Sequence, residues 1–251
     1  MFWEDLPKSG TLRAELPVFH TTESLFLRDI VTGLQINTTK CKVYDEDLVY
    51  VFYGRPSYRP SSSNNATKML EYYPVVFLMS PDAVKSIKRM LPFDSGGYHS
   101  GRFEDFLHPA MRKEQFEIPP PIDNLEAVIS YFFGSPDDYM KAVGKADQTP
   151  APTRFEIAAF HRMVHGVQKS TSDDRRITCE VQSDSPITLT KGVVRTIIAP
   201  SVFEDEDYFT ERLIELGCAF KGYDCDLANS NEMHAHISYL VREAIAEWKA
   251  T

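Results

Sequence analysis

Leu48-Val49-Tyr50-Val51-Phe52-Tyr53, running directly into Gly54-Arg55-Pro56-Ser57-Tyr58-Arg59, decides how this 251-residue chain is read. Six aliphatic and aromatic residues in succession suit a strand covered on both faces. Glycine and proline then end the strand and leave an arginine in the turn. Upstream, Leu16 to Phe19 reads as a short strand with His20 at its end. From Glu23 to Leu34 the apolar residues Leu25, Phe26, Ile30, Val31 and Leu34 recur at a helical period. Thr21 or Thr22 is expected to cap the start of that helix, and Gly33 to supply the positive φ at its end.

Downstream, Pro60 to Asn65 is a loop and Pro74 to Met79 a second aliphatic strand. Pro81 to about Met90 reads as a helix with proline in its first turn. Leu91 to Ile122, with Gly96-Gly97 and Pro119 to Pro121, reads as a long ordered loop pinned by Phe93, Tyr98, Phe103, Phe106 and Phe116. Helices are expected at Asn124–Phe133, Pro136–Val143, Arg154–Val167, Glu206–Leu216 and Glu232–Lys249. Strands are expected at Arg176–Gln182, Val193–Ala199 and Cys218–Tyr223. Helices and strands mix without strict βαβ alternation, so the expected class is α+β with mixed or antiparallel sheets flanked by helices.

Composition narrows the function classes. Apolar residues make up 43% and charged residues 25%, and 16 Phe with 12 Tyr argue against wholesale disorder. No apolar run is long enough for a bilayer, and Met1 to Gly10 lacks the apolar stretch of a signal peptide. Cys41, Cys179, Cys218 and Cys225 are too scattered for a secreted disulfide framework. A cytoplasmic protein with no membrane partner is expected. A net charge of −9 opposes non-specific adhesion to nucleic acid, so a nucleic-acid substrate would need a local basic patch such as Arg55, Arg59 and Lys68. His161 and His165 stand four apart on a helix but lack the glutamate of a zinc-protease motif. Cys218, Cys225, His234 and His236 have no finger-like spacing, and no metal is expected.

Three segments carry chemistry. The first is Phe19-His20-Thr21-Thr22, opening a helix that closes on Val31-Thr32-Gly33-Leu34. The second is Val49 to Arg59. The third is Ile177-Thr178-Cys179-Glu180-Val181-Gln182, before Pro186-Ile187 and the strand Val193–Ala199. Read singly, His20 is a capping or core histidine and Arg55 a surface turn residue. Glu180 is either buried with partners or facing water on an edge strand. In this order the three segments resemble the ADP-ribosyltransferase superfamily, most closely its DarT-type branch of DNA-modifying toxins. That family has a strand ending in His, an aromatic strand running into an Arg-containing turn, and a late strand carrying a catalytic Glu.

The resemblance implies a single domain, residues 1–251, with a family-specific insertion at about 60–175 and an NAD cleft between its sheets. It implies that His20, Arg55 and Glu180 converge there as the catalytic set. NAD would be cleaved at its nicotinamide–ribose bond, a substrate rather than a resident cofactor. Glu180 would stabilise positive charge developing on the ribose, as in glycoside hydrolysis. His20 would orient the ribose, with Thr21 and Thr22 beside it. Arg55 would hold a phosphate by paired hydrogen bonds, and Tyr50 and Tyr53 would offer stacking faces. Tyr58, Arg59 and Tyr98 would meet the acceptor, which the sequence leaves open among DNA, RNA and protein. A role as toxin or defence effector belongs to the same expectation. An NAD glycohydrolase, with water as acceptor, would use the same residues. A non-enzymatic binding module with degenerate motifs is the third alternative.

Overall fold

The computed structural model describes residues 1–8, 16–57, 69–147, 149–166, 175–225 and 230–250, without the side chains of 230 and 231. Among the described residues, the strands are β1 (Val18–Glu23), β2 (Gln35–Ile36), β3 (Thr39–Cys41), β4 (Glu46–Tyr53), β5 (Pro74–Met79), β6 (Arg89–Leu91), β7 (Glu180–Ser183), β8 (Ile187–Thr188), β9 (Val194–Pro200) and β10 (Ala219–Tyr223). The α-helices are α1 (Phe2–Asp5), α2 (Leu27–Gly33), α3 (Ser95–His99), α4 (Asn124–Phe132), α5 (Pro136–Met140), α6 (Phe155–His165), α7 (Asp207–Leu216) and α8 (Ser230–Ala250). The class is α+β, built on an eight-stranded sheet in the order β10-β9-β5-β1-β4-β7-β6, with β3 also paired to β4. Its pairs are antiparallel except β9 with β10, which α7 connects as one βαβ unit. β2 and β8 form a separate two-stranded pair.

Strand alternation divides the core. Val18, Val51, Phe77, Val181 and Ile197 lie in one large buried cluster with Leu125, Ile129 and Phe132 of α4 and Phe160 and Met163 of α6. Phe19, Val76, Leu78 and Ile198, one residue out of step with that set, pack instead against Ile237, Val241 and Ile245 of α8. Each fully buried aromatic contributes about 2–3 kcal/mol by apolar burial, so this register is strongly specified: a one-residue slip would exchange the two faces.

Three local expectations differ from the fold. Pro81 to Met90 is not a helix: a single 3-10 turn, Pro81–Ala83, is followed by the strand β6. Pairing of Met90 with Val181 and Leu91 with Glu180 overrides the helical spacing of that segment. Thr21 and Thr22 do not cap a helix. They remain in β1, opposite Val76 and Val75, and the 3-10 turn before α2 begins only at Ser24. The left-handed residue after α2 is Leu34 at φ 50°, not Gly33, and its N–H bonds to Ile30 O. The segment expected as an insertion, about 60–175, supplies β5 and β6, and β5 lies between β1 and β9. Within Leu91–Ile122 the chain forms α3 and a 3-10 turn at Lys113–Phe116, and Phe93, Phe103 and Phe116 are fully buried. Among the described residues no helix is long and apolar enough to cross a membrane.

Candidate functional site

β1 and β4 begin as ladder neighbours and then separate. Their register holds only at Val18 with Tyr53 and Phe19 with Phe52, whereas β1 stays paired with β5 as far as Glu23 with Pro74. From His20 onward β1 therefore has a strand on one side only, and a cavity of about 630 Å³ opens between it and β4. That size falls within the roughly 300–1,000 Å³ of small-molecule sites. His20, Thr21 and Thr22 form one wall, Leu48, Tyr50 and Phe52 another, and Phe26, Asp29 and Ile30 a third, with Asn37, Thr39 and Tyr72 also on the lining.

His20 stands at the apex of this fork. Its Nδ1 lies 2.9 Å from Tyr50 O. A carbonyl oxygen can only accept, so Nδ1 carries a proton and donates to it. The ring thus replaces the backbone pair that the separating strands no longer make. Beside it, Thr21 Oγ1 donates to Ser57 O at 2.5 Å, tying the turn after β4 to the cavity wall. The Tyr50 hydroxyl meets Cys41 Sγ at 2.6 Å.

Glu180 is wholly buried at the start of β7, opposite Phe52 on one side and Leu91 on the other. Its Oε2 accepts from Ser95 N at 3.0 Å and its Oε1 from Gln182 Nε2 at 2.6 Å. The amide orientation of Gln182 follows from its other contact. Arg89 Nη1 donates to Gln182 Oε1 at 3.0 Å, so the NH₂ group must face Glu180. Arg89 is itself paired with Glu46. A second carboxylate, Asp94, lies alongside, accepting from Gly97 N at 2.6 Å and from Ser57 Oγ at 3.1 Å, and is fully buried as the N-cap of α3. Burial first, and then the Asp94 charge, push the Glu180 carboxyl up to about 8. Burial and, secondarily, the Cys41 contact raise the Tyr50 hydroxyl, and the Glu180 charge adds to that rise.

Of the three residues expected to converge, His20, Arg55 and Glu180, only His20 is on the cavity lining. Glu180 shares its row with Phe52, a lining residue, but alternation sets His20 in the next row, and the carboxyl is sealed beneath the first turn of α3. Arg55 is buried elsewhere. Its Nη1 donates to Tyr139 O at 3.0 Å, and burial lowers its pKa. The hydrogen bond to the Tyr139 carbonyl of α5 offsets the cost of that burial, and this side chain is not on the cavity lining. Tyr53 also faces the core rather than the cavity, with its hydroxyl 3.5 Å from Glu126 Oε1. Tyr98 stacks on Phe93 at 5.8 Å and donates to Met111 O, so it pins the long segment down. Tyr58 and Arg59 lie outside the described residues.

Asp94, Ser95 and Gln182 escaped the sequence reading. Asp94 and Ser95 resembled an ordinary glycine turn, and nothing local ties them to a strand some 85 residues away. Phe26 was visible only as an apolar residue of a helix, and Tyr72 was not singled out. Their exposure at the cavity mouth depends on the turns that carry them. Among the described residues no group of three or more His, Cys, Asp or Glu is arranged to hold a metal ion. His161 and His165 stack at 4.2 Å on α6 without further ligands of that kind. In comparisons with known proteins, no family model, no curated protein and no solved structure matches the chain.

Proposed function

We propose that the fork between β1 and β4 binds NAD and that the protein is an ADP-ribosyltransferase, cleaving NAD at its nicotinamide–ribose bond. The observation that carries this reading is the separation of β1 from β4 at His20, which opens a cavity between the two strands whose sequences resemble that superfamily. The third such strand, β7, is the next neighbour of β4. The imidazole at the apex lines the cavity and suits hydrogen bonding to a ribose hydroxyl. Thr21, Thr22, Asn37 and Thr39 offer further polar groups, and Tyr50, Phe26 and Tyr72 offer ring faces.

In this reading the C1′–N bond breaks heterolytically, and its electron pair leaves with neutral nicotinamide. The ribosyl cation is captured by an acceptor nucleophile, which loses its proton. Glu180, ionised, stabilises the cation from the strand beside β4, where the low dielectric strengthens its field. Direct contact with the ribose requires the Asp94–Ser95 turn to move aside, because that turn covers the carboxyl.

The test is nicotinamide release, with NAD affinity measured in parallel, for the wild type and Glu180→Gln. The expected result is a rate loss on the order of 100-fold with affinity retained, since the loss is confined to the transition state. An unchanged rate removes Glu180 from the mechanism. NAD binding without release by the wild type leaves a binding module, and absence of binding overturns the whole reading.

A further inference from the structure

Two short helical turns frame the mouth of the fork. Ser24–Phe26 and Leu70–Tyr72 lie side by side, and Ser24 N and Ser24 Oγ both donate to Tyr73 O, at 2.8 and 3.0 Å. The pair is therefore a fixed surface. It displays Leu25, Phe26, Leu70 and Tyr72, which are 37–57% exposed, with Met69 adjoining at 53%. Isolated exposed leucines need no explanation. Five large apolar side chains on or beside two abutting turns do, with Phe26 and Tyr72 among them lining the cavity, because apolar patches of that kind mark contact sites. Aromatic residues and methionine are also the types enriched where proteins meet.

Among the described residues, the charges on this patch are three carboxylates and one guanidinium, Arg28. Glu23 and Glu71 belong to or adjoin the two turns, and Asp29 follows on α2; all three are exposed, and Glu23 and Asp29 line the cavity. The nearby Arg28 is turned toward the Tyr208 ring on α7, 5.3 Å from its centroid. A phosphodiester backbone approaching the mouth would meet three carboxylates, whereas a cationic side chain would be drawn in.

We propose that these turns dock the acceptor, and that the acceptor is a protein segment carrying basic and apolar side chains rather than a nucleic acid. The inference rests on reading the fork as the ADP-ribosyl donor site. Apolar side chains of the partner cover Leu25, Phe26, Leu70 and Tyr72, and its basic groups pair with Glu23, Asp29 and Glu71.

The test is fluorescence anisotropy of the full chain with two labelled probes of matched length. One is a peptide alternating arginine with leucine and phenylalanine, and the other a single-stranded oligonucleotide. The comparison is the double variant Leu25→Asp/Leu70→Asp, whose sites are exposed, with its fold checked by circular dichroism. The peptide is expected to bind the wild type and the oligonucleotide not. The double variant should weaken the peptide about tenfold or more, as loss of apolar anchors does. The added negative charge makes this decisive, since simple attraction to an acidic chain would grow stronger. Equal or tighter peptide binding by the variant overturns the proposal. So do oligonucleotide binding lost in the variant, and absence of peptide binding. Nicotinamide release by the same wild-type sample separates the two readings: docking without release overturns the NAD assignment alone, and release without docking overturns the docking surface alone.

Discussion

His20 Nδ1 donates to Tyr50 O across 2.9 Å at the point where β1 parts from β4. The bond closes the fork at its apex. His20→Ala leaves the Tyr50 carbonyl without this partner, a net cost of about 0.5–1.5 kcal/mol, or a fall of a few degrees in Tm for a chain of this size. The loss of NAD affinity should exceed what that instability explains, by about tenfold. Calorimetric titration of folded variant with NAD checks this. Unchanged affinity would show that the imidazole only holds the strands together.

Glu180 gives stability a pH dependence. Its folded pKa lies near 8, against about 4.3 in an unfolded chain, so between those values the native state binds the extra proton. The contribution is complete below the lower value and is lost as pH rises through the upper one. Glu180→Gln carries no such proton. Its stability relative to the wild type should therefore increase from pH 5 to pH 8, read as urea midpoints at each pH. Parallel profiles for the two proteins would show that Glu180 does not titrate in this window.

The same shift sets the activity profile. If the ionised carboxylate stabilises the ribosyl cation, nicotinamide release should climb as pH rises from 6 toward 9 and level off above the Glu180 pKa. A rate independent of pH over that interval would contradict a catalytic role for the carboxylate.

Arg55 is a buried guanidinium donating to Tyr139 O, with the Tyr139 ring 5.7 Å away. Its removal is expected to act on the fold. Arg55→Met should lose about 1.5–3 kcal/mol, the range for a hydrogen bond made by a charged group, while folded variant binds NAD as the wild type does. Denaturant titration and NAD titration separate these effects. A selective loss of affinity in fully folded Arg55→Met would return Arg55 to the ligand site.

Tyr98 packs on Phe93 and donates to Met111 O. Tyr98→Ala should lower Tm while leaving the ratio of acceptor transfer to NAD hydrolysis unchanged. A fall in transfer alone would give Tyr98 the acceptor contact that its position in the structure does not.

Elements whose signal is local were legible. Glu46–Tyr53, Pro74–Met79 and Val194–Pro200 are strands where aliphatic and aromatic residues run together, and Gly217 at φ 60° ends α7 where glycine predicts it. The α+β class followed from the mixture of such elements. The helical spacing of Pro81–Met90 misled, because Met90 gains more by pairing with Val181, 91 positions away, than a short exposed helix would give. The same distance hid the site. That a glutamate, a glutamine and an aspartate would share one buried network depends on β6, β7 and α3 meeting, and each is separated from a partner by intervening chain that periodicity does not describe. His20 could be picked out as a residue, but its position at a fork could not. Side-chain period reports which face of a strand is buried, while the place where two strands stop pairing depends on what packs on their far sides. For β1 the β5 ladder continues past the last bond to β4, and that difference in length alone opens the cavity.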